Sequence, residues 1–72
     1  MKRFAVVFEK AANNWAAYVP DLPGCVTTGA TVEETRANIR EAIALHLGAM
    51  AEVGEPIPEP TSGVEFVELE VA

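Results

Sequence analysis

Cysteine is nearly missing from this 72-residue sequence, with Cys25 the only one. An intramolecular disulfide is therefore excluded. With His46 the only histidine, no Cys/His cluster offers a structural metal site. Long apolar runs are missing too: the longest span about five residues, far below the roughly 18 that a bilayer-crossing helix needs. The start, MKRFAVVFEK, is basic but lacks the apolar stretch and small-residue cleavage site of a signal peptide. A free cysteine without an export signal fits the cytosol. Basic residues are also scarce, 5 Lys and Arg against 11 Asp and Glu. The resulting formal charge of −6 argues against non-specific nucleic-acid binding, which needs clustered cations on phosphates. It favours solubility and association with a basic partner.

What remains is an ordered, half-hydrophobic chain with few aromatics, 50% and 7% of residues respectively. Its length predicts one domain, residues 1–72. A chain of this size buries only about 60% of its unfolded surface, so its core is marginal unaided. With disulfide and metal excluded, self-association or a partner is the usual remaining source of stability.

The stretch Pro20–Glu34, PDLPGCVTTGATVEE, organises the chain. Before it, residues 2–9 alternate, with Phe4, Val6 and Phe8 on one face and Ala5, Val7 and Glu9 on the other. Apolar residues on both faces predict a central strand. The Asn-Asn pair in residues 10–14 is a turn signal, and Trp15–Val19 returns antiparallel. Pro20 has no amide to donate, so pairing stops there. Pro20–Gly24 is a tight loop, and Cys25–Thr28 a short third strand closing at Gly29. Thr31 with Glu34 is a capping box, the hydroxyl accepting from the N3 amide and the carboxylate reaching back. Glu33 and Glu34 suit the positive end of the helix dipole.

The helix is predicted over Val32–Val53, ending at Gly54. Val32, Ile39, Ile43, His46, Met50 and Val53 share one stripe, flanked by Arg36 and Leu47, and are expected on the sheet. A proline-rich linker, EPIPEPTSG, leads to a fourth strand over Val64–Val71. There Val67, Leu69 and Val71 alternate with Phe66, Glu68 and Glu70. The whole predicts a two-layer α+β domain, β-β-β-α-β, with one helix on one sheet face. A fourth strand parallel to the first, joined by a right-handed crossover, gives the order 3-2-1-4.

The combination of YVPDLPGCVTTGAT, TVEE, the EAIALHL helix and the IPEP tail resembles the HicB antitoxin family, from Phe4 to about Val71. The resemblance implies a partial RNase H-like fold. It also implies the antitoxin half of a type II toxin–antitoxin pair, whose partner is a small basic mRNA-cleaving ribonuclease (HicA-like) that the antitoxin occludes. The alternative is an orphan HicB-like module serving as an oligomeric scaffold or adaptor. Longer members continue into a helix-turn-helix or ribbon-helix-helix segment. For this chain, which reaches only Ala72, no specific DNA binding of its own is expected.

No catalytic, cofactor or metal site is expected. RNase H-type chemistry needs carboxylates converging on two metals. Here Glu9 ends its strand, Glu41 lies opposite the apolar stripe, and Glu68 and Glu70 sit on an open face. His46 reads as a hydrogen-bonded core histidine and Cys25 as a small packing residue. The back of the helix carries Ala37, Glu41, Ala44, Gly48 and Ala51. This small-residue ridge reads either as a solvent face or as a docking surface that another chain approaches closely. Glu68, Glu70 and Tyr18 complete the candidate protein-binding set. Glu33, Glu34 and Asp21 are further acidic candidates for a complementary patch. A homodimer or higher homo-oligomer through the open sheet face or a sheet edge is expected.

Overall fold

Three short strands and one long helix carry the structure, a computed structural model describing residues 1–71. Strands β1 (Val7–Lys10), β2 (Trp15–Tyr18) and β3 (Val26–Gly29) form an antiparallel sheet in the order β1-β2-β3. Helix α1 (Val32–Glu52) lies on one face. This is the expected α+β arrangement, with three members of the 3-2-1-4 order in place.

The turns follow the local chemistry. The β1–β2 connection closes with the Ala11 amide donating to the Asn14 carbonyl at 2.9 Å. After β2, the chain makes two consecutive turns: Leu22 N–H donates to Val19 O at 3.1 Å, and Cys25 N–H to Leu22 O at 3.0 Å. Gly24 supplies the positive φ of 84° that this reversal requires. The double turn folds Leu22 inward, where it joins Ala17, Val19, Cys25 and Ile39 in the fully buried core. Phe4, Val6, Phe8, Ala42, Ile43 and Leu47 pack around them.

The helix begins and ends as its caps dictate. Thr31 Oγ1 accepts from the Glu34 amide at 3.1 Å. The Glu34 carboxylate reaches back to the Ala30 amide at 3.3 Å, one residue before the N-cap. At the other end Gly54, at φ 76°, lets its own amide reach Ala51 O and the Glu55 amide reach Met50 O. These two bonds form a Schellman motif that satisfies the last carbonyls. Arg36 stands over the Phe8 ring, Cζ 5.7 Å from the centroid. Asn38 Nδ2 donates to the Thr28 carbonyl at 2.9 Å, tying the helix to β3.

Two expectations are corrected. First, Val64–Val71 is exposed along its length and belongs to no strand among the described residues. β1 is therefore an edge of the sheet here, not its centre. Second, the apolar stripe packs on the core only as far as Leu47. Val53 is 71% exposed, and His46 is half-buried with no hydrogen bond among the described residues. The reason is length: a 21-residue helix spans about 32 Å, whereas four-residue strands span about 13 Å. The last turns of α1 overhang the sheet. One burial lies outside the expected stripe: the most buried residue on the helix is polar. Thr35 is fully buried, its hydroxyl donating to the Thr31 carbonyl at 2.7 Å.

Candidate protein-binding surfaces

Ala37, Glu41, Ala44, Gly48 and Ala51 are all exposed, on the side of α1 away from the sheet. A Cβ placed on Gly48 meets nothing within 4 Å, so the ridge is open to close approach by another chain. Leu45, 69% exposed, adds an apolar side chain beside it.

Tyr18 lies on the other side of the molecule. Its neighbours Ala17 and Val19 point into the core, so strand alternation puts Tyr18 on the open face. The registers Val7↔Tyr18 and Tyr18↔Val26 align three apolar side chains across that face. Glu68 and Glu70 occupy a third place, the exposed segment after Gly63. The candidate residues thus fall on three surfaces. The helix ridge and Tyr18 are separated by the thickness of the domain.

Asp21 is engaged by the chain itself. Its carboxylate accepts from the Thr61 and Ser62 amides at 3.2 and 3.0 Å, and from their hydroxyls at 3.2 and 3.0 Å. The Ser62 amide leads the bonds that hold the Asp21 carboxyl below its ordinary range. Lys2 pairs with Glu59 close by. Together they fasten the proline-rich linker across the β2–β3 turn. Sequence spacing gives no signal for a pairing over forty residues.

Cys25 is buried, and burial pushes its thiol up in pKa, as expected of a packing residue. His46 borders a shallow cavity of about 280 Å³ with Ala49, Met50, Val53 and Glu55 at the overhanging helix end. Among the described residues, no three His, Cys, Asp or Glu side chains gather where a metal ion could be held. No helix among them is long and apolar enough to cross a membrane.

The profile described as "HicB_like antitoxin of bacterial toxin-antitoxin system" matches residues 4–70. The chain belongs to the HicB-like antitoxin family. Among its relatives, Antitoxin HicB 2 of Photorhabdus laumondii is 37% identical over 68 residues, covering 93% of this chain and 49% of that protein. An uncharacterised 14.9 kDa protein of Haemophilus phage HP1 is 36% identical over 64 residues, 89% of this chain and 48% of the other. This HicB-like chain thus spans about half the length of those two. A UPF0150 protein of Archaeoglobus fulgidus is 37% identical over 70 residues, with 93% and 94% covered. Among solved structures, a chain of a HicA3 and HicB3 toxin–antitoxin complex superposes with TM-score 0.71 at 30% identity. That match covers 83% of this HicB-like chain and 70% of the other.

Proposed function

We propose that this HicB-like chain is the antitoxin of a type II toxin–antitoxin pair, binding a small basic mRNA-cleaving toxin and occluding its active site without chemistry of its own. The observation that carries this reading is the likeness, at TM-score 0.71, to a chain of a HicA3 and HicB3 toxin–antitoxin complex. The charge of −6 suits a basic partner, because complementary fields speed encounter and disfavour wrong partners. Residues 1–72 act as one partial RNase H-like domain, in the cytoplasm and as a homo-oligomer. The toxin docks on the back of α1, where Ala37, Ala44, Gly48 and Ala51 permit close approach and Glu41 supplies charge. Glu68 and Glu70, on the separate exposed segment after Gly63, add to the overall negative field that draws in a basic partner.

Co-expression tests the reading. Where a short basic open reading frame lies beside this gene, its product induced alone is expected to arrest growth; a gene with no such neighbour favours the orphan module instead. Co-induction with the present chain restores growth and yields a complex that co-purifies. Continued arrest, with no complex, rejects the antitoxin reading.

A further inference from the structure

Two elements of this molecule lack what the other offers. The segment Val64–Val71 has strand periodicity and no sheet. Its Phe66, Val67, Leu69 and Val71 are 96%, 74%, 79% and 89% exposed. β1, for its part, is a sheet edge with one row of backbone amides and carbonyls unmatched. The stretch Phe4–Phe8 that leads into and opens it is apolar on both faces, the composition of an interior strand. A chain of this length packed into a sphere-like domain has a radius of gyration of about 11 Å, but the observed value is 14.2 Å. The longest extent, 52 Å, exceeds the roughly 32 Å of the 21-residue helix. The segment stands off the body as an arm.

The root of the arm is fixed. Asp21 clamps Thr61 and Ser62, and Ser62, Gly63 and Val64 border Arg3, Phe4 and Ala5 across an open cavity of about 430 Å³. The arm therefore leaves the body beside the β1 edge without joining it. Gly63 sits at this root with open space around its Cβ position.

From this geometry we infer that the arm Val64–Val71 serves as the fourth strand of a second copy of the chain, adding to its β1 edge while that copy's arm completes the first. The occupant of the edge is another copy because reciprocity satisfies both deficits in both chains with one two-fold axis. A strand added to a free edge gains main-chain hydrogen bonds along its length. Alternation sets the faces. Val67, Leu69 and Val71 join Phe4, Val6 and Phe8 on the helix side of the sheet, and Phe66 joins the open face beside Val7 and Tyr18. Glu68 and Glu70 then stand on that same open face. The exchange gathers Tyr18, Glu68 and Glu70 onto one surface built from two chains, which a single chain does not do. The inference rests on the self-association proposed above and is independent of any toxin.

The test uses the full chain without toxin. Light scattering at micromolar concentration is expected to give twice the 7.7 kDa chain mass. Leu69→Asp, at a position 79% exposed in the single chain, is expected to give the single-chain mass with an unchanged circular dichroism spectrum. A monomeric parent, or a Leu69→Asp variant still at double mass, overturns the exchange. The second arm is covalent. Val7→Cys/Phe66→Cys, oxidised in dilute solution, is expected to yield a disulfide-linked dimer, and mixing the two single variants yields the same species. An internal disulfide within a monomer places the arm on its own β1 and overturns the inference. Linked dimers from Phe66→Cys alone, as abundant as from the mixture, indicate arm-to-arm pairing and also overturn it. Capture of the basic toxin is scored separately on the same variants, so a failed exchange leaves the antitoxin reading standing.

Discussion

Asp21 and Ser62, 41 residues apart in sequence, are joined by two hydrogen bonds of 3.0 Å, one from the Ser62 amide and one from its hydroxyl. Thr61 adds two more at 3.2 Å. This contact turns a proline-rich linker into a fixed strap and determines where the C-terminal arm starts. It also removes Asp21 from the acidic groups free to meet a partner.

The strap is predicted to be acid-sensitive. The Asp21 carboxyl is held below its ordinary value of 3.8, led by the Ser62 amide bond. Its contribution is therefore fully present above that value and is lost as pH falls through the lowered one. Hydrogen exchange at the Thr61 and Ser62 amides is expected to lose protection below that range. Asp21→Ala is expected to abolish the protection at neutral pH while the strand and helix amides keep theirs. Slow exchange at Thr61 and Ser62 in Asp21→Ala would show that the strap holds by other contacts.

A second prediction concerns the seam between sheet and helix. An added Cβ on Gly29 would lie 2.6 Å from Thr35 Oγ1 and 2.8 Å from the Thr35 amide. Neither atom can give way, because the hydroxyl is buried and bonded to Thr31 O and the amide belongs to the first helical turn. Gly29→Ala is expected to lower stability by about 1–3 kcal/mol, the cost of overpacking. Urea denaturation measures it, and a midpoint equal to that of the parent contradicts the close approach.

The seam illustrates what the sequence reveals and what it hides. Gly29 is legible as the end of β3, and Thr31 with Glu34 as a helix start, because both signals are local. That Thr35 rather than an aliphatic residue fills the tightest part of the interface is not legible. A threonine whose hydroxyl bonds the carbonyl four residues back has its polar group satisfied within the helix and can be buried, and hydropathy does not register that. The stripe that places His46 and Val53 on the sheet fails for a different reason, since periodicity reports the face of a helix but not how far the sheet extends beneath it. The alternation in Val64–Val71 predicts a strand that the described chain does not form by itself. Whether a strand finds its edge in the same chain is a property of tertiary geometry. For the candidate site, the small-residue ridge is readable at helical spacing. The separation of Tyr18, Glu68 and Glu70 onto other surfaces is not, because it depends on layers that only the fold defines.

Leu22 gives a third prediction. It sits in a loop flanked by prolines and is nonetheless 1% exposed, one of the largest fully buried side chains. Leu→Ala at such a site costs about 2–5 kcal/mol. For 72 residues, total stability at about 0.05–0.15 kcal/mol per residue is only about 4–11 kcal/mol. Leu22→Ala is therefore expected to lose a large part of the stability, or all of it, whereas Val26→Ala, at an exposed position of β3, stays within about 1 kcal/mol of the parent. Thermal melts followed by circular dichroism separate the two. Equal, small shifts would show that the loop does not contribute to the core.

The last prediction addresses the ridge on α1. Gly48 has open space around its Cβ position, so a larger side chain is accommodated without touching the fold. Helix propensity alone makes Gly48→Leu more stable by roughly 0.8 kcal/mol. If the basic toxin docks against Ala44, Gly48 and Ala51, the same substitution inserts a branched side chain where backbones must approach closely. Affinity for the toxin is then expected to fall by about 1–3 kcal/mol, the usual cost of overpacking a fitted contact. Calorimetry on the co-purified pair measures the second effect and a thermal melt of the free antitoxin the first. Opposite signs in the two measurements identify the ridge as the toxin interface. A more stable protein that binds toxin unchanged makes the ridge a solvent face and moves the interface to the open side of the sheet, where Tyr18 lies.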